Sequence, residues 1–173
     1  MKEYWINRAR LISGLVLFSY IAAHLVNLSL GLLSIRTMDQ MLEVVILFWG
    51  HWSIQAILLT SLLTHFALAL RALYRRRSLR MPPRECAQLV LGFIIPFMLV
   101  LHISKTRVAA DGYGAHITYA FEMLQFWIRD PWAGAEQVAL LIVAWTHACI
   151  GLYFVMRIRR WYPVAKPYLL ILA

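Results

Sequence analysis

The stretch that decides the fold spans residues 54–84 and reads IQAILLTSLLTHFALALRALYRRRSLRMPPR. Residues 54–70 carry no acidic or basic side chain apart from the imidazole of His65. At about 1.5 Å per residue, a helix over residues 54–74 covers the ~30 Å hydrocarbon core of a bilayer. Six arginines follow between positions 71 and 84. Because arginine at the bilayer centre costs several kcal/mol, this end is predicted to lie outside the core, on the cytoplasmic side.

The overall composition is that of an integral membrane protein. The 173 residues are 62% hydrophobic and 14% charged, whereas a soluble domain is about half apolar and a quarter charged. The net charge of +9 comes from basic residues at predicted helix ends, so the positive-inside rule accounts for it and nucleic-acid binding is not expected. Cys86 and Cys149 lack CxxC spacing and are predicted to be small buried hydrophobes.

Three further membrane helices are predicted, with the N-terminus inside, and two outer-surface segments connect them. The membrane helices are predicted over residues 9–34, 85–106 and 137–156, and the surface segments over residues 35–53 and 116–128. The final run YLLILA looks like the start of a fifth helix that residues 1–173 do not complete. We therefore predict an all-α integral membrane bundle with four complete transmembrane helices and a truncated fifth.

One histidine lies within each predicted membrane helix: His24, His65, His102 and His147. Polar residues at membrane depth are costly and usually functional, and imidazole is a common ligand of haem iron. The alternative is that each imidazole forms an interhelical hydrogen bond. The presence of a histidine in all four helices favours ligation of a metal over separate interhelical hydrogen bonds.

Counting residues from the arginines sorts these histidines into two pairs. His65 and His147 each lie ten residues before an arginine, whereas His24 and His102 lie fourteen and eighteen residues after one. The second pair is therefore predicted to lie about 6–12 Å further from the cytoplasm. This predicts two bis-histidine iron sites, an inner one with His65 and His147 and an outer one with His24 and His102.

Zinc is the competing metal, but it would need three or four ligands at one level. His51 and His116 lie in the predicted segments that connect the helices on the outer side, and no ligand role is assigned to them. Arg71, Lys105 and Arg107 are near enough to neutralise haem propionates, although snorkelling cations at helix ends explain them equally well.

Three stretches carry a resemblance to a known group of proteins: THFALALRALYRRRSLRMP, IPFMLVLHISKTRVA and WTHACIGLYFVMRIRRWYP. They resemble the dihaem b membrane anchors of succinate dehydrogenases and fumarate reductases. They are most similar to the six-helix membrane domain at the N-terminus of bacterial class III adenylate cyclases. The resemblance implies two haem b groups held by the same two histidine pairs.

The resemblance also implies a redox-sensing role in the bacterial plasma membrane, with quinone and quinol as redox partners. In the cyclase group, two more helices and a cytoplasmic cyclase domain follow, and the haem state would bias the attached cyclase dimer. Neither the helices nor the domain lies within these 173 residues. One alternative is an electron-transfer anchor that docks flavoprotein and iron–sulfur subunits. Another is a haem-free helical anchor.

Overall fold

A computed structural model describes residues 1–78, 80–108, 112 and 118–172. All regular secondary structure in these residues is helical. The helices are α1 (Lys2–Ser29), α2 (Ile35–Trp49), α3 (Trp52–Tyr74), α4 (Pro83–Ile103), α5 (Tyr119–Met123), α6 (Pro131–Met156) and α7 (Tyr162–Leu172). Short 3₁₀ or π turns extend α1, α4 and α5 at their C-terminal ends.

Four of these helices are long and apolar enough to cross a membrane, as the sequence predicts. With their terminal turns they cover Lys2–Leu32, Trp52–Tyr74, Pro83–Thr106 and Pro131–Met156. Few of their residues are buried within the structure, because their apolar side chains point outward. Such outward-facing apolar helices are typical of a chain whose solvent is lipid.

The prediction for the start of α6 is wrong by six residues. The sequence predicts that this helix begins at residue 137, after the motif RDPWAG, which is typical of a turn, but α6 begins at Pro131 within that motif. Proline suits the first turn of a helix because its missing N–H would have no intrahelical acceptor there. Asp130 before it is non-helical, with ψ of 79°, as the residue before a proline prefers.

The two predicted surface segments are helical. The hydroxyl of Ser34 caps α2 by accepting the N–H of Thr37 at 3.0 Å, and Thr118 caps α5 through the N–H of Phe121 at 3.2 Å. Residues 116 and 117 lie outside the described residues. The predicted fifth helix corresponds to α7, which begins at Tyr162, six residues before the run YLLILA.

The chain divides into two compact units. The first unit holds α1, α2, α3 and α5, with α1 packed against α3 and with α2 in contact with α1 and α5. The second unit holds α4, nearly all of α6, and α7. Each unit therefore contains two of the long apolar helices and two of the four helix histidines.

In the first unit, two hydrogen bonds join α5 to α1 and α2, the first buried and the second partly buried. The amide of Asn27 donates to the hydroxyl of Tyr119 at 2.7 Å, and the backbone N–H of Tyr119 donates to Asp39 Oδ1 at 2.8 Å. Asn27 is fully buried and Tyr119 is 6% exposed. Burial raises the pKa of Tyr119 to about 12, so its hydroxyl stays protonated in this contact at neutral pH.

We expect the packing of α5 to weaken as the pH rises, because Glu122 is half-buried beside Asp39. Burial, and then the charge of Asp39, raise the pKa of Glu122 above its ordinary value of 4.5. The neutral carboxyl is favoured in the folded state, so its stabilising effect is complete below pH 4.5 and is lost as the pH rises through the raised pKa. Hydrogen exchange over residues 119–129, corrected for intrinsic rates, should show protection that falls between pH 4 and neutrality.

The Glu122→Gln variant should remove this pH dependence, since glutamine does not titrate. Glu43→Gln is the matched control, because Glu43 lies on the exposed side of α2. The same pH dependence in wild type and Glu122→Gln would contradict the assignment of the effect to this carboxyl.

Candidate functional site

In the first unit, His65 of α3 contacts α1 at Arg10, Ser13 and Gly14. His65 Nδ1 lies 3.0 Å from the backbone oxygen of Arg10 and 3.4 Å from Ser13 Oγ, which donates to the same oxygen at 3.0 Å. A Cβ atom at Gly14 would lie 2.9 Å from His65 Cε1, so a larger residue there would displace the ring. We call this surface of α1 the Gly14 face.

In the second unit, His147 of α6 likewise contacts a backbone carbonyl and a glycine of α4. His147 Nδ1 lies 3.0 Å from the backbone oxygen of Gln88, and a Cβ atom at Gly92 would lie 2.5 Å from His147 Cε1. The side-chain nitrogen of Gln88 lies 3.4 Å from His147 Nε2. Its Oε1 is buried without a hydrogen-bond partner among the described residues. We call this surface of α4 the Gly92 face.

The two faces share one spacing, which was not predicted from the sequence. In each, the accepting carbonyl lies four residues before the glycine, and a second histidine lies ten residues after it. The patterns are Arg10-x3-Gly14-x9-His24 on α1 and Gln88-x3-Gly92-x9-His102 on α4. On α3 and α6 the histidine follows a threonine and precedes an arginine by ten residues. The two helix pairs therefore share the same spacing of glycine, histidine and arginine.

The other two histidines have different surroundings. His102 Nδ1 lies 2.5 Å from the side-chain oxygen of Gln137 on α6. The ring of His24 lies parallel to that of Tyr20, one turn earlier on α1, with centroids 6.2 Å apart and planes 5° apart.

The hydrogen-bond partners define the tautomer of three imidazoles. Carbonyl and amide oxygens only accept hydrogen bonds, so Nδ1 must carry the proton in His65, His102 and His147. In a neutral imidazole, Nε2 then carries a lone pair, which in His147 accepts from the side-chain nitrogen of Gln88 at 3.4 Å and would have to exchange this donor for a metal. A histidine that donates through Nδ1 to a carbonyl and offers Nε2 is in the form that ligates metals. These side chains could therefore act as ligands of a haem iron.

Within the first unit, the two histidines lie at separate levels. His24 is ten residues beyond Gly14, which faces His65, so the two are about 15 Å apart along α1. Counting residues from the arginines predicts a smaller separation, about 6–12 Å, because it takes Arg10 as the cytoplasmic end of the first membrane helix. α1 begins at Lys2, and the side chain of Arg10 reaches back toward that end, with Nη2 3.3 Å from Asn7 Oδ1.

Two of the cations considered as propionate partners have carboxylate partners within the chain. Arg71 Nη2 lies 2.8 Å from Glu3 Oε1, which also binds Arg75. Lys105 Nζ lies 2.5 Å from Glu136 Oε2. The side chain of Arg107 is outside the described part of the structure.

His51 and the two cysteines do not join these contacts. His51 caps α3, with Nδ1 2.8 Å from Ser53 Oγ and 3.4 Å from the N–H of the same residue, and His116 is outside the described residues. Cys149 is half-buried, but Cys86 is exposed, which contradicts its predicted burial, because it lies on an outward-facing side of α4. Among the described residues, no three His, Cys, Asp or Glu side chains form a group that could hold a metal ion.

No protein-family model matches this chain, and neither a curated protein nor a solved structure matches it. The resemblance carried by the three sequence stretches thus remains a prediction from the residues.

Proposed function

We propose that this chain is a membrane anchor that binds two b-type haems. His65 and His147 are the proposed ligands of an inner haem iron, and His24 and His102 those of an outer one, as the sequence pairs them. The observation that carries the proposal is the Nδ1 hydrogen bond of three of these imidazoles, which leaves Nε2 as the nitrogen with the lone pair.

The residues around the ligands have distinct roles in this proposal. The carbonyls of Arg10 and Gln88 accept from Nδ1, fix the orientation of each ring and make its Nε2 more basic. Gly14 and Gly92 leave room for the rings beside the neighbouring helix. Gln137 orients His102 in the same way through its side-chain oxygen. When bound, each haem would supply a carrier of one electron.

We further propose that the four long helices span the bacterial plasma membrane with the N-terminus in the cytoplasm. The length and apolarity of the helices support insertion. The arginines that follow α3 and α6, together with Lys2 and Arg8 near the start of α1, support the orientation.

The proposed biological role is that of a redox-sensing anchor for an adenylate cyclase, with the quinone pool as electron partner. The three stretches that resemble the cyclase anchors support this role. The runner-up is an electron-transfer anchor for the flavoprotein and iron–sulfur subunits of a succinate or fumarate enzyme. The third candidate is a haem-free anchor, for which the contacts of His65 and His147 would only join neighbouring helices.

Reduction by a quinol tests the redox role. A water-soluble quinol added to the purified oxidised protein should produce the reduced b-type spectrum, to an extent comparable with dithionite. Reduction by dithionite but not by quinol or menaquinol analogues would contradict the quinone partner. A protein without a haem spectrum would instead favour the haem-free anchor.

A further inference from the structure

An open cleft in the second unit lies between the start of α4 and the end of α6. Its volume is about 320 Å³, and its lining includes Arg84, Glu85, Tyr153, Phe154 and Arg157. The N-terminus of α4, the positive end of its helix dipole, borders the same cleft. The cleft therefore combines two guanidinium groups, a positive helix end and aromatic walls with the single carboxylate of Glu85, so its cationic groups outnumber its anionic one.

Both guanidinium groups are positioned by aromatic rings. Arg84 Nη1 donates to the hydroxyl of Tyr153 at 2.9 Å, and its Cζ lies 5.1 Å from the centre of that ring. Arg157 Cζ lies 5.8 Å from the Tyr153 ring and 5.0 Å from the Phe154 ring. Stacking of this kind orients the planar donor groups of arginine before any ligand arrives.

The equivalent place in the first unit contains a carboxylate. Arg75 and Arg157 each lie ten residues after the histidine of their helix, and Arg75 and Arg71 share the carboxylate of Glu3. In the described residues of the second unit, neither Arg84 nor Arg157 forms an ion pair with a carboxylate. In the first unit, the carboxylate of Glu3 binds the arginines at this place. The comparison indicates that in the second unit an external anion can bind to Arg84 and Arg157 instead.

We propose that this cleft binds the phosphate of an anionic phospholipid headgroup. Phosphate matches the forked donors of two arginines, and basic pockets at the cytoplasmic ends of membrane helices favour anionic lipids. In the proposed orientation, the end of α6 lies at the cytoplasmic surface. The rings of Tyr153 and Phe154 provide an apolar wall beside the headgroup, which a free phosphate ion would not use.

Native mass spectrometry of the detergent-purified full chain tests this site. Phosphatidylglycerol is the probe, and phosphatidylcholine and inorganic phosphate are titrated in parallel. The variant Arg84→Gln/Arg157→Gln should bind phosphatidylglycerol about ten-fold more weakly than wild type. The matched control Arg159→Gln/Arg160→Gln removes the same charge from exposed positions outside the cleft, and it should bind almost as wild type does.

The variant Arg84→Lys/Arg157→Lys keeps the charge and loses the planar fork, so we expect intermediate affinity from it. It also preserves the test if the glutamine variant does not elute as a folded species. Equal weakening in the cleft variant and the control would overturn the proposal in favour of a net-charge effect. Equal affinity for phosphatidylcholine would exclude a site for anionic lipid, and inorganic phosphate binding as tightly as phosphatidylglycerol would assign the cleft to a soluble phosphate.

Discussion

Replacing His65 with alanine is expected to lower the haem content of the purified protein from about two per chain to about one. The substitution removes the imidazole that contacts the Gly14 face, and an iron held by two histidines does not keep its site with one. His147→Ala should have the same effect. The measurement is the haem-to-protein ratio from the reduced absorption spectrum.

Combining the substitutions tests the pairing that the sequence predicts. His65→Ala/His147→Ala should still retain about one haem, whereas His65→Ala/His24→Ala should retain almost none. His51→Asn is the control, because His51 caps α3 and asparagine can cap a helix in its place. Two haems per chain in His65→Ala would contradict the assignment of His65 as a ligand.

Gly92→Ala is expected to destabilise the protein even in the absence of haem. A Cβ atom at this position would lie 2.5 Å from His147 Cε1, closer than non-bonded atoms tolerate, so the ring or the helix must move. Overpacking of this kind costs about 1–3 kcal/mol, and most of that range exceeds the gain in helix propensity of about 1 kcal/mol from glycine to alanine. Thermal unfolding of the haem-free protein, followed by loss of helical signal, should therefore occur at a lower temperature.

Gly14→Ala should give a smaller loss of stability, since its Cβ would lie 2.9 Å from His65 Cε1. At Gly112 no atom of the described residues lies within 4 Å of the added atom, which makes Gly112→Ala the matched control. An increase in melting temperature for Gly92→Ala would show that His147 is not held against α4 as the structure places it.

The long helices could be predicted because their signal is local. A run of apolar residues as long as the bilayer is thick, ended by arginines, leaves few alternatives, as residues 54–84 illustrate. The start of α6 was missed because aspartate, proline and glycine together are typical of turns, although proline also suits the first turn of a helix. Local sequence alone does not separate these two uses.

The surroundings of the histidines were less predictable, because they depend on residues far apart in the chain. Gly14 gains its role only when α3 places His65 against it, and Gly92 when α6 places His147. The shared spacing of glycine and histidine on α1 and α4 could have indicated both faces, since the two patterns match in register. The hydrogen bond between Asn27 and Tyr119 had no comparable signal, because a buried polar pair shows no periodicity.

The most direct test of the two-haem proposal is the absorption spectrum of the wild-type protein, oxidised and dithionite-reduced, with the haem-to-protein ratio determined on the same sample. We predict a b-type spectrum with about two haems per chain. A protein that remains colourless after reconstitution with haem would contradict the proposal, and the four histidines would then be polar contacts within a haem-free helical anchor.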